Sequence, residues 1–149
     1  MRWVVVFDTN ILISALLSLH GPPFRCLALA KENVVQSVTC QEILDEFQEK
    51  LQGKFAYSPQ RAHAAATEVQ VVSRLVAITH SLTVITADPD DDKVVECAVV
   101  GNATHIVTGD RRHLLPLGSY QGIAIVSAAD FLALVTALSA GSERPAEEK

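Results

Sequence analysis

Cysteine, aromatic side chains and positive charge are all scarce in this chain, and each scarcity excludes something. The three cysteines, Cys26, Cys40 and Cys97, are odd in number, widely spaced and outside any CxxC pattern. That excludes a disulfide framework and a thiolate zinc site, and it fits a reducing, cytoplasmic setting. The single tryptophan, Trp3, leads into an apolar run and reads as packing rather than as a platform for stacking bases. Twelve basic residues face seventeen acidic ones, a net charge of −5, so the chain is no general polyanion binder. A nucleic-acid substrate would have to be received by local positive charge or by bound cations. The few glycines form no phosphate-cradling loop, no Ser-His-Asp or Cys-His arrangement stands out, and the five histidines lack metal-ligand spacing. No apolar run approaches the ~20 residues of a membrane span, and no small-residue cleavage pattern follows the N-terminus. A soluble, unprocessed protein without a membrane partner is expected.

What is present is a core. With 149 residues and 49% hydrophobic side chains, the chain can bury one sizeable interior, and length argues for one domain over residues 1–139. The Ser-Glu-Arg-Pro-Ala-Glu-Glu-Lys ending places a disordered tail at 140–149. Trp3 to Phe7 is a short β-branched run of the kind that is covered on both faces of a sheet, and a helix is expected over about 10–19. A second helix spans Phe24 to Lys31, and a second strand Val34 to Val38. Thr39-Cys40-Gln41-Glu42 has the form of a capping box opening a helix that buries Ile43, Leu44, Phe47 and Leu51 and stops at Gly53. Ser58-Pro59 opens a helix running to about Ala77, and Leu82 to Ile85 is a third strand. A helix starting near Asp91 leads into a fourth strand at Thr104–Thr108. Ile123 to Val126 is the fifth strand, followed by a helix to roughly Leu138. Alternating strands and helices imply a parallel sheet between helical layers.

That architecture gathers the acids. Asp8 and Asp110 each follow a buried strand directly, so both lie at the sheet's carboxyl edge, where open α/β folds bind ligands. Clustered carboxylates repel and need a cation or a shared proton, and an oxygen-rich set suits Mg²⁺ or Mn²⁺. In Asp88-Pro89-Asp90-Asp91-Asp92, Asp88 and Asp90 suit the turn. Asp91 precedes Val94 and Val95 by three and four positions and shares their inward face, whereas Asp92 precedes Glu96 by four and leans toward solvent. Asp91 is favoured and Asp92 stays open as the ligand of a second ion. Glu42 has a structural use in the capping box. Glu46, one turn later, flanks the inward stripe and is left available for the crevice beside Asp8.

Val-Val-Phe-Asp-Thr-Asn-Ile-Leu-Ile-Ser, Glu-Ile-Leu-Asp-Glu-Phe, Asp-Pro-Asp-Asp-Asp-Lys-Val-Val-Glu-Cys-Ala and Ile-Val-Thr-Gly-Asp, in that order from residue 3 to about 135, resemble the PIN-domain ribonucleases. The resemblance is closest to the branch of toxin components of toxin–antitoxin systems. It implies a three-layer α/β/α sandwich with about five parallel strands in the order 3-2-1-4-5, and a metal centre at Asp8, Glu46, Asp91 and Asp110. Thr9, Asn10, Thr108 and Arg111 would support the metal or position substrate. The activity implied is Mg²⁺- or Mn²⁺-dependent endoribonuclease chemistry, by a homodimer or higher homo-oligomer restrained by an antitoxin protein. An RNA-processing nuclease outside such systems, or a catalytically idle binding module of the same fold, is the alternative.

Overall fold

The computed structural model describes residues 3–82 and 89–147, with side chains from 3 to 82 and from 91 to 138. Strand β1 (Trp3–Phe7) holds Val5 and Val6 fully buried. Successive strand residues point to opposite faces, so both faces of the sheet are covered at its centre. Helix α1 (Thr9–Leu17) follows without a loop, because Asp8 is its N-cap and accepts the Thr9 N–H at 2.7 Å. Helix α2 (Pro22–Lys31) starts on a proline, and β2 (Val35–Cys40) pairs parallel with β1.

Helix α3 (Gln41–Phe55) departs from the sequence reading at both ends. Its N-cap is Cys40, which makes no side-chain capping bond, and Thr39 belongs to β2, with a buried hydroxyl that has no partner among the described residues. The capping box is therefore absent, because strand β2 runs two residues further than its apolar run. Gly53 lies inside the helix, which ends instead on Ala56 in the left-handed conformation.

Helix α4 (Pro59–Val71), capped by the Ser58 hydroxyl, stops six residues short of the expected Ala77. Ser73–Val76 forms strand β3, parallel to β2, and Ser73 donates to the Val69 carbonyl while meeting the Ser37 hydroxyl at 2.7 Å. Val72, Leu75 and Val76 are strand formers in a stretch whose alanines and valines read as helix. The strand expected at 82–85 is thus misplaced at its start: Leu82 lies in no regular element, and 83–85 fall outside the described residues.

Helix α5 (Pro89–Val100) returns to β4 (His105–Val107), which pairs parallel with β1. The return is tight, since a Cβ on Gly101 would sit 2.5 Å from Val38 Cγ1. A short helix α6 (Leu114–Leu117), strand β5 (Ser119–Tyr120), strand β6 (Ile123–Val126) and helix α7 (Ala128–Glu147) complete the chain, α7 extending past Leu138. The turn between β5 and β6 places Gln121 and Gly122 at positive φ, the geometry of a tight hairpin. The sheet order is β3-β2-β1-β4-β6-β5, parallel but for the two-residue edge strand β5. It keeps the expected order and adds one strand. Among the described residues no single helix is long and apolar enough to cross a membrane.

Candidate metal centre

β1 and β4 are neighbours at the point where strand order reverses, and their carboxyl ends carry the first acids. The ladder continues one step past β1, with the Asp8 N–H donating to the Val107 carbonyl at 3.0 Å. Asp8 is only 6% exposed, and both its oxygens are engaged. Oδ1 takes the Thr9 N–H, and Oδ2 takes the hydroxyl of fully buried Thr108 at 2.7 Å. Burial raises the Asp8 pKa, against the lowering effect of those two bonds, and the Glu46 charge adds to the rise. Thr108 Oγ1 also accepts the Asp110 N–H at 3.0 Å. One buried threonine therefore ties the Asp8 carboxylate to the backbone that carries Asp110.

Asp110 is fixed by its own turn. Its carboxylate accepts the N–H groups of Arg112 (3.1 Å), His113 (3.3 Å) and Leu114 (3.0 Å). Burial pushes its pKa up, but these donors, led by Leu114 and Arg112 and joined by Asp91, pull it below the usual carboxylate range. Asp91, on α5, stands 3.2 Å from His113 Nδ1 through Oδ2, and the same nitrogen is 3.9 Å from Asp110 Oδ2. The donor atoms of Asp91, Asp110 and His113 all lie within 4.8 Å of one another. Two carboxylates this close suit a Mg²⁺- or Mn²⁺-class ion.

Glu46 lies in a different environment. Its Oε1 accepts the Thr9 hydroxyl at 2.9 Å and meets Lys93 Nζ at 2.7 Å, and its Oε2 meets Lys50 Nζ at 3.2 Å. Burial pushes its pKa up, but Lys93, Thr9 and Lys50 together bring it below its ordinary value. The carboxylate that reads as available in the sequence is clasped by two cations, and it reaches Asp8 only through Thr9. Lys50 also donates to Oδ1 of exposed Asn10 at 3.3 Å. These lysines line a cleft of about 630 Å³ with Glu42, Asp45, Glu46, Glu49 and His80.

The two residues of α5 read as outward-facing are both buried. Asp92 is 8% exposed and Glu96 5%. Glu96 Oε2 accepts the N–H groups of Thr79 (2.7 Å) and His80 (3.0 Å) and the Thr79 hydroxyl, and Oε1 accepts the Leu82 N–H (3.2 Å). It organises the 79–82 loop, which puts His80 Nε2 2.6 Å from Glu42 Oε2. Glu42, without a capping box, uses its carboxylate there. Arg111 is exposed beside Asp110.

Lys50 was legible as the i+4 partner of Glu46. Glu96 also leaves a trace, as a lone acid within the apolar run of α5. Nothing local in the sequence marks Lys93, whose partner Glu46 comes from α3, and the only local mark of His113 is its place three residues after Asp110.

A fold with this strand order and acids at this edge has relatives. Over 115 residues the chain is 30% identical to the uncharacterised protein MJ1680 of Methanocaldococcus jannaschii, covering 72% of this chain and 70% of that one. The structure superposes on VapBC2 from Rickettsia felis, solved bound to a DNA fragment from their promoter, with a TM-score of 0.58 over 82% of this chain and 96% of that chain. Identity there is 13%, so that likeness is one of fold. Residues 4–112, which run from β1 through the turn that fixes Asp110, match the PIN domain. By that match the chain belongs to the PIN-domain family, whose members are nucleases.

Proposed function

We propose that the protein is a Mg²⁺- or Mn²⁺-dependent endoribonuclease and the toxin of a toxin–antitoxin pair. One observation carries the reading. The donor atoms of Asp91 and Asp110 lie within 4.8 Å of one another, and at the carboxyl edge of the adjacent strands Thr108 ties the Asp8 carboxylate to the backbone N–H of Asp110. The resemblance of all four acidic segments to the toxin branch supports the narrower assignment, as does a fold shared with VapBC2.

Asp91 and Asp110 would hold the ion, with Asp8 as the third acid and Asp92 as the residue open to a second ion. The bound ion supplies a water of lowered pKa and neutralises charge on the reacting phosphodiester. Asp8, buried and carrying a raised pKa, is short of positive charge, so a cation beside it relieves its burial cost. Thr108 orients Asp8 and the Asp110 backbone together. Glu46 enters the centre through Thr9, and Lys50 and Lys93, the two lysines it pairs with, are assigned to meet an RNA phosphate. Asn10 and Arg111 are assigned to substrate contact.

Incubation with RNA, single-stranded DNA and a chromogenic phosphomonoester, with Mg²⁺, Mn²⁺ or excess EDTA, tests the chemistry. RNA alone should be cleaved, and only with metal; cleavage that persists in EDTA would overturn the assignment. Expression in a bacterial host should arrest growth, and Asp8→Asn should relieve the arrest. Unimpaired growth on expression of an active enzyme would remove the toxin role and leave RNA processing. Light scattering should give a dimer at micromolar concentration, and a monomer would refute the assembly.

A further inference from the structure

The reaction just described makes no use of the ring of His113, yet the local backbone aims it. Asp110 gathers the N–H groups of residues 112, 113 and 114 into one turn. That turn fixes the His113 backbone at φ −125°, ψ −54° at the start of α6. The ring then folds back over the carboxylate that holds its own amide, bringing Nδ1 within 3.2 Å of Asp91 Oδ2 and 3.9 Å of Asp110 Oδ2. Adjacent ligands around an octahedral ion with bonds of about 2.1 Å stand about 3.0 Å apart, and opposite ones about 4.2 Å. Both separations fall inside that range. The ring is 28% exposed and the two carboxylates 13% and 17%.

We propose that His113 is itself a ligand of the metal beside Asp91 and Asp110, and that it makes the centre select Mn²⁺ over Mg²⁺. This inference rests on the metal-nuclease reading above. Mg²⁺ takes oxygen donors almost exclusively and dehydrates reluctantly, whereas first-row transition ions accept an imidazole nitrogen readily. Replacing one oxygen of a carboxylate set by nitrogen therefore costs Mg²⁺ affinity and leaves Mn²⁺ affinity intact or raised. Asp91 and Asp110 supply the charge, and His113 supplies the discrimination. The competing role for the same contact is an ion pair between imidazolium and Asp91, which involves no metal.

Pulsed electron spin resonance on the full-length protein loaded with Mn²⁺ alone decides between them. Echo modulation from a directly bound nitrogen is expected in the wild type and should vanish in His113→Gln. In calorimetric titration the wild type should bind Mn²⁺ at least about tenfold more tightly than Mg²⁺, and His113→Gln should lose about 10–100-fold in Mn²⁺ affinity with little change for Mg²⁺. His113→Asp, which restores an all-oxygen set, should bind both ions with no preference. Mn²⁺ that binds the wild type at stoichiometric occupancy without nitrogen modulation would overturn the ligand assignment while leaving the metal centre standing. Failure of the wild type to bind either ion would overturn both. The wild-type spectrum keeps the test decisive even if His113→Gln misfolds.

Discussion

Glu96→Gln is the most informative single change outside the acid cluster, because its energetics can be worked out atom by atom. The glutamine side chain has the same shape and keeps one oxygen. Placed toward Thr79 and His80, that oxygen retains three bonds, each reduced from a charge-assisted to a neutral one, a loss of about 1 kcal/mol apiece. The new NH₂ group then faces the Leu82 N–H, a buried donor against a donor, which costs about 1–3 kcal/mol. Part of the total is returned because a carboxylate no longer has to be desolvated, leaving a net destabilisation of about 2–4 kcal/mol. For a chain of this length that is roughly 6–12 °C in Tm. Burial pushes the Glu96 pKa up, but the donors of Thr79, Leu82 and His80 hold it below its ordinary 4.5. A carboxyl group with a lowered folded-state pKa stabilises the fold fully above its unfolded pKa and loses that contribution as pH falls through the folded value. Urea denaturation should therefore show the full gap between wild type and Glu96→Gln at neutral pH, and a gap that narrows below about pH 4.5. Equal stability at neutral pH, or a gap indifferent to acid, would refute the account of Glu96 as the anchor of the 79–82 loop.

Asp8→Asn should abolish RNA cleavage while leaving the metal-free Tm unchanged or slightly higher, because its oxygen can keep the Thr9 N–H and its amide can donate to the Thr108 hydroxyl without a buried charge; a large fall in Tm by calorimetry would contradict this. Glu46→Gln should lower the metal-free Tm by the equivalent of about 1 kcal/mol at neutral pH, since it removes the negative charge that Lys93 and Lys50 both meet. That stabilisation, from a carboxyl group of lowered pKa, should fade as pH falls below its ordinary value of 4.5; a Tm that rises instead would restore the picture of Glu46 as a repelling acid. Glu42→Gln breaks only the half-exposed pair with His80 and should stay within about 0.5 kcal/mol of wild type with cleavage retained, so an inactive but folded Glu42→Gln would place Glu42 in the site.

Legibility in the sequence followed the range of the determining interaction. Strand β1 and the strand-end Asp8 were readable because five consecutive residues and one cap set them. Helical spacing favoured Asp91 over Asp92 as the third acid, and Asp91 lies against Asp110 and His113. The same spacing argument failed for Asp92 and Glu96, both of which are buried. Periodicity tells which residues share a helix face, but not what covers the opposite one. Here that face meets the 79–82 loop, whose backbone donors turn an acid into a core residue. The capping box at Thr39 failed in a related way, because pairing with β3 extended β2 through Thr39 and Cys40 and overrode a local hydrogen-bonding pattern. The clasp on Glu46 was half visible: Lys50 lies one turn away on the same helix, while Lys93 arrives from α5.

The pairing of β1 with β4 also has a consequence for when the centre comes into being during synthesis. Asp8 leaves the ribosome well before the hydroxyl that orients it, which belongs to a residue 100 positions later, and Asp110 lies beyond that. β1 meanwhile sits in the interior of the sheet, with one edge open until β4 docks. A nascent chain can therefore pair β1 with β2, and β2 with β3, and still possess only half a centre. For a nuclease made in the midst of ribosomal and messenger RNA, the sheet order works as a timer: the chain acquires its site only when β4 and the Asp110 turn have been translated and released from the exit tunnel.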